Sequence, residues 1–318
     1  MPRILILALL LLGATARAET VLVSNEKDNT ITVLDGETLK QVRTVPVGER
    51  PRGIVLSRDA RYLYVCAGDS DRIDVVDTTT WRVVRQLPSG SDPEVAVLHP
   101  DGRRLFVANE DDNMVTVVDV ERGVVLQEIP VGVEPEGLGL SPDGRYLVNT
   151  SETTSMAHVI EVATSKIVAN VLVGARPRYA LWEADGKSFW VSSEIGGTLT
   201  QIGADDWRPR GQVSFSIPGV PAEAIQPVGM VLSRDGAKLF VALGPANRVA
   251  VVDRATRQME RTLLVGQRVW NLALSTDGTR LFTTNGVSND LSMIDIQAMR
   301  VLRSVPVGQA PWGVVVKP

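Results

Sequence analysis

Seven positions in this chain each follow a loop proline or its replacement, and they recur every 42 residues with one step of 50. They read Arg52, Glu94, Glu136, Arg178, Val228, Trp270 and Trp312, with Val269 standing where the sixth copy lacks the proline. The position just before the proline reads Arg50, Asp92, Glu134, Arg176, Gln226, Arg268 and Ala310. A turn requires none of this chemistry. Guanidinium and carboxylate groups beside two neighbouring tryptophans can orient a small polar ligand or a partner loop, the rings supplying apolar area and the charges direction. The same residues also fit a structural set, in which arginines and glutamates pair around a solvated funnel and the tryptophans cover strand ends.

A second set, Glu26, Glu110, Glu152 and Glu194, keeps the same spacing where the other copies have Gly68, Gly244 and Gly286. Converging carboxylates can bind Ca²⁺ or another cation. No calcium-loop motif accompanies them, so a solvated acidic rim is expected and no metal is assigned.

Enzyme chemistry finds little support. Only two histidines exist, His99 in a repeated turn and His158 in a strand, and neither has a catalytic neighbour by spacing. No CxxCH motif and no His/Cys cluster with metal-ligand spacing is present. The competing hypothesis is a lactonase-like hydrolase in which Arg52 and Arg178 polarise a lactone while Glu94 or Glu136 activates water. No catalytic residue and no cofactor is assigned.

The elements that position these residues follow from self-similarity. The turn aspartates Asp59, Asp101, Asp143 and Asp185 are 42 residues apart, and Asp277 follows Asp235 by 42 after a single step of 50. Glycines Gly48, Gly90, Gly132 and Gly174 keep the same step, as do Gly266 and Gly308. Each period holds four short runs rich in Val, Leu and Ile, bounded by turn residues and too short for helices. Four strands per repeat of about 40 residues is the pattern of a β-propeller blade. In "HPDG", "SPDG", "EADG", "SRDG" and "STDG" an Asp acceptor precedes a residue tolerant of positive φ, which makes a tight turn. Asp35, Asp77, Asp119, Asp253 and Asp295 close a second hairpin.

Labelled a to d from the axis outward, strands a and b each occur seven times, which predicts an all-β, seven-bladed propeller of four-stranded blades. The first strand, "TVLVSN", is of type b and the last, "WGVVV", of type a. One blade must therefore join the C-terminal innermost strand to the N-terminal three, which removes two exposed sheet edges. The d-to-a and b-to-c loops then share one face, where copies vary. The Asp-Gly and Asp-Thr turns share the other, which repeats almost unchanged.

Composition sets the class: 318 residues, 44% hydrophobic, 22% charged and a net charge of −4 describe a globular chain without the basic footprint of a nucleic-acid binder. "MPRILILALLLLGATARAE" reads as a secretory signal peptide over residues 1–18, cut after Ala18, with an apolar run too short to remain in a bilayer. Residues 19–318 are then a single exported domain with no transmembrane segment, expected in the periplasm. Its one cysteine, Cys66, permits no internal disulfide and is expected as a small buried hydrophobe. The excess in the fifth repeat, "SFSIPGVPAEAIQPVG", carries Pro218, Pro221 and Pro227, a stiff loop in which Val220 to Ile225 is a candidate cover for the channel mouth.

The runs "LYVCA", "LFVAN" and "LFTTN", followed by "VVDTTT" or "VVDVER" and then "VPVGERPRG" or "IPVGVEPEG", resemble the YVTN family of β-propeller repeats across essentially residues 19–318. The overall organisation is similar to the exported YVTN proteins associated with pyrroloquinoline quinone (PQQ)-dependent alcohol catabolism. That resemblance implies a quinoprotein alcohol dehydrogenase or ABC-type transporter components as partners. The repeat pattern is also similar to the haem-binding propellers of nitrite reductases, without their haem motif. The tryptophan-docking repeats of quinoprotein dehydrogenases are absent, so PQQ enters as a pathway association.

Overall fold

The computed structural model describes residues 19–318; the signal peptide expected at residues 1–18 lies outside them. Seven four-stranded antiparallel sheets form a closed ring, confirming the seven-bladed propeller. Blade 1 shows the pattern, with strand a at Pro51–Leu56, b at Tyr62–Ala67, c at Arg72–Asp77 and d at Arg82–Pro88. Blade 7 joins the two ends of the chain in the order Pro311–Lys317, Thr20–Asn25, Thr30–Asp35, Gln41–Pro46. Its seam pairs Val21 with Val316, Leu22 with Val315 and Val23 with Val314. Among the described residues no helix is long and apolar enough to cross a membrane.

Burial explains the strand composition. Strands b and c are covered on both faces by adjacent blades, so runs such as Leu63–Ala67 are apolar without alternation and almost fully buried. Strand d lines the outer rim and is largely exposed, as in Gln41–Pro46. The core is divided into seven apolar clusters, one at each blade junction. Cys66 belongs to the cluster between blades 1 and 2, fully buried, and that burial raises its thiol pKa.

The turns behave as their chemistry requires. Asp59 accepts from the Ser57 hydroxyl at 2.6 Å and the Arg61 amide at 3.1 Å, and Ser141/Asp143, Ser233/Asp235 and Ser275/Asp277 repeat the hydroxyl contact. Gly102, with φ of +73°, occupies the left-handed position of its turn; blade 1 places Ala60 there. The two histidines serve the frame. His158 Nδ1 donates to Asn170 Oδ1 at 2.6 Å and its Nε2 accepts from the Gly132 amide at 3.1 Å, a neutral ring holding a loop. His99 reaches the Gly144 carbonyl of the next blade at 3.2 Å.

Candidate functional site

Six of the seven axial side chains are placed by one backbone device, Val228 being the exception. The residue before the proline lies in the left-handed region, with φ from +49° to +58° at Arg50, Asp92, Glu134, Arg176, Arg268 and Ala310. Such a conformation costs a non-glycine residue about 1 kcal/mol. The preceding blade offsets this: Asn29, Asp71, Asn113, Asn247 and Asn289 accept the amides of residues 50, 92, 134, 268 and 310 at 2.8–3.0 Å. A β-bulge follows, pairing Pro51 with Ala67 and Ile54 with Val65 so that Arg52 and Gly53 fall between. Equivalent bulges bracket Glu94, Glu136, Arg178, Trp270 and Trp312. A bulge re-aims a side chain, and here it brings residues of different blades together at the axis.

The acidic set is held beside this ring by the backbone. The amides of Glu26, Glu110, Glu152 and Glu194 donate to the carbonyls of residues 310, 92, 134 and 176 at 2.8–3.0 Å. All four therefore lie on the varied face next to the residues that precede the prolines.

Together the two sets make a continuous ionic lattice. Arg52 pairs with Glu94 and reaches Glu136 at 3.7 Å, while Arg178 meets Glu136 at 2.8 Å, pairs with Glu152 and reaches Glu194 at 3.6 Å. Arg50 pairs with Asp92 and bonds Glu94 at 3.0 Å and Asp69 at 2.7 Å. Arg176 bridges Glu152 at 2.7 Å and Glu194 at 3.4 Å, and Arg268 closes the arc on Glu194 at 2.8 Å and Gln226 at 2.9 Å. The tryptophans lie against the cations: Arg52 sits 5.0 Å from the Trp312 ring centre and Arg268 4.3 Å from that of Trp270.

Two expectations are corrected here. The pairing is not a solvated funnel, because Arg52, Glu94, Glu136 and Arg178 are all buried, Glu94 completely. Nor is the second set a solvated rim: Glu152 and Glu194 are buried in ion pairs, and only Glu26 and Glu110 remain part-exposed. The cause is close packing of the inner strands. A Cβ added to Gly53 would stand 2.6 Å from the Glu94 carbonyl oxygen, and one on Gly137 2.6 Å from that of Arg178. The channel narrows to a cavity of about 200 Å³ lined mainly by apolar residues such as Ile54, Val95, Leu138 and Leu272, with Trp312 at its wall.

Burial shapes the charges. Burial raises the Glu94 carboxyl, but Arg52 and Arg50 outweigh it and hold the group below its ordinary value. For Glu136 burial wins over Arg178 and Arg52, helped by Glu94, and its carboxyl is pushed well above the usual range. Burial and then Glu94 push Glu110 up to about 7. Asp92, Glu94 and Glu110 bring carboxylate oxygens within 4.8 Å of one another, the one group among the described residues whose spacing could hold a cation. Arg50 already bridges two of them, so protein cations supply the charge a metal would bring.

Beside the lattice, a cavity of about 390 Å³ opens on the varied face, lined by Glu110, Glu134 and Thr153 together with Glu152 and Arg176 of the lattice. Exposed aliphatic side chains stand on the loops or strand ends of the same face: Val133, Leu172, Ile195, Leu264 and Val287. The fifth-repeat insertion is rooted between blades 4 and 5, with Ile217 and Ile225 buried against Trp190 and Leu243. Sequence reasoning missed the asparagine latches, although their 21-residue offset from the pre-proline position was a usable signal.

Comparison with known proteins bears on the fold. The profile of the YNCE-like beta-propeller family matches residues 11–100. No curated protein matches. Among solved structures, the chain is similar to hydrazine synthase of Kuenenia stuttgartiensis, at 21% identity and a TM-score of 0.80 over 87% of this chain and 92% of that one. It is similar to a candidate 6-phosphogluconolactonase of Bacteroides fragilis, at 17% identity and a TM-score of 0.78, over 96% and 99%. The dihydro-heme d1 dehydrogenase NirN, solved in complex with DHE, matches at 16% identity and a TM-score of 0.71, over 93% and 74%. At these identities the likeness is one of fold, and the chain is a β-propeller repeat protein.

Proposed function

We propose that this protein is a non-catalytic binding or scaffold module that engages a protein partner or small polar ligand through its varied face. One observation carries the reading: the charged groups nearest the axis are consumed by one another, while the accessible residues just outside them vary among the copies and include five exposed aliphatics. Exposed apolar side chains on that face, beside a polar cavity, suit recognition. A hydrolase would need Glu94 or Glu136 open to water and Arg52 or Arg178 open to a carbonyl. All four are buried and paired, which weighs against the lactonase alternative.

The setting belongs to the same proposal. Export to the periplasm rests on the signal-like N-terminus, and service to PQQ-dependent alcohol oxidation or its linked transport rests on the resemblance of the repeats. The test is affinity purification from cells growing on alcohols, comparing the native protein with Ile195→Glu and Glu134→Lys. A quinoprotein alcohol dehydrogenase or a transporter component should co-purify and be lost from variants with unchanged melting temperature. Recovery of the protein alone, or lactone turnover abolished by Glu94→Gln, would overturn the reading.

A further inference from the structure

The opposite face, expected to be uniform, is not. We propose that the cleft between blades 1 and 2 on the turn face is a second binding site, for a carboxylate carried on a flat apolar body such as an aromatic acid. This does not rest on the varied-face proposal.

The cleft has a volume of about 630 Å³, within the roughly 300–1,000 Å³ of small-molecule sites. Its floor is Tyr64 and Val75, each only 5% exposed. The other six copies place Leu22, Phe106, Val148, Trp190, Phe240 and Phe282 where this one has Tyr64, so a single junction carries a phenol there. A buried tyrosine hydroxyl ordinarily finds a partner. That of Tyr64 makes no hydrogen bond among the described residues, which leaves a polar group on an otherwise apolar floor.

Two guanidiniums frame the cleft without a counter-charge. Arg85 crosses to blade 2 and donates to the carbonyls of Val120 at 3.0 Å and Glu121 at 3.3 Å, both neutral acceptors. Arg58 makes no hydrogen bond or ion pair among the described residues, and its stem lies along Gly102 of blade 2. A third, Arg61, lies over the Tyr62 ring at 5.2 Å. The acids nearby are already engaged: Asp59 in its turn, Asp77 by the amides of Thr79 and Thr80 at 2.7 and 3.1 Å and by Arg61 at 3.5 Å. Glu121, also in the cleft wall, is 71% exposed and has Arg103 at 3.8 Å.

Planar guanidiniums favour planar oxyanions, and an aromatic floor favours a flat apolar body. Blade 5 provides an internal contrast. It repeats both arginines as Arg234 and Arg261, but Phe240 replaces the phenol and Arg234 is taken by the Thr276 carbonyl at 3.3 Å. A repeat protein that breaks its pattern at one junction differentiates that junction.

The test uses the full-length protein after purification, with benzoate, benzyl alcohol and inorganic phosphate as probes in calorimetric titration near pH 7. Benzoate should bind saturably and raise the melting temperature, with the neutral alcohol and the ring-less anion each at least tenfold weaker. Arg58→Ala, which breaks no hydrogen bond or ion pair among the described residues, should weaken benzoate at least tenfold with a nearly unchanged melting temperature, and Tyr64→Phe should weaken it severalfold. Absence of saturable benzoate binding up to millimolar concentrations, equal affinity for phosphate, or full affinity in Arg58→Ala would each overturn the assignment.

Discussion

Replacing Arg178 by methionine tests whether the buried lattice carries stability as its geometry implies. Arg178 touches Glu136, Glu152 and Glu194, and the last two keep Arg176 and Arg268, so the substitution strands chiefly Glu136, left with Arg52 at 3.7 Å. Removing one partner of a buried pair costs about 3–5 kcal/mol. For the 300 residues of 19–318, an unfolding entropy of about 2.1 cal/mol/K per residue gives roughly 0.63 kcal/mol/K, hence a melting temperature lower by about 5–8 °C.

The sign of the pH dependence follows from Glu136. Its native pKa lies above the ordinary 4.5, so its contribution to stability is fully present below that value and lost as pH rises through the native one. Loss of Arg178 raises the native pKa further, so the deficit of the variant should be larger at pH 8 than at pH 5. Adding Glu136→Gln should recover most of it. Scanning calorimetry at both pH values decides. A melting temperature within a degree of the native protein at pH 8, or a deficit that grows on acidification, would refute the reasoning.

Two further predictions concern the frame. Deleting Pro311–Pro318 removes the seam strand and bares Val21 and Val23, so cooperative unfolding should be lost and dye binding to apolar surface should appear; an unchanged sharp transition would contradict closure by this strand. His158→Leu orphans the Gly132 amide and Asn170, which should cost about 1–3 kcal/mol at pH 7. Burial lowers the His158 pKa more than Asn170 raises it, so its contribution is present above 6.5 and is lost as pH falls through the lowered native value. Denaturant titrations should show the native protein losing stability towards pH 5 more steeply than the variant.

The fold was legible because its information is local and repeated. A four-strand period, Asp-Gly turns and a type-a strand stranded at the C-terminus leave one arrangement that completes every blade with four strands, and the Val23 to Val314 register is the one this requires. The candidate site was legible as a set of positions, since the same loop position in every copy must approach one axis. Their state was not. Whether Glu94 meets water or Arg52 depends on how closely neighbouring inner strands approach, which the 2.6 Å clearance over Gly53 decides and no single repeat reveals.

The turn-face cleft was invisible for a related reason. Arg58, Tyr64 and Arg85 lie on three different strands or turns of one blade and face Gly102 and Val120 of the next, so the turn motifs look uniform while the junction behind them does not. Sequence by itself determined the number of blades, the closure of the ring and which positions crowd the axis, because these follow from period and strand order. Only the tertiary structure decided which charges are buried and which remain free, because burial belongs to the junctions between blades, and those are made by residues of different repeats.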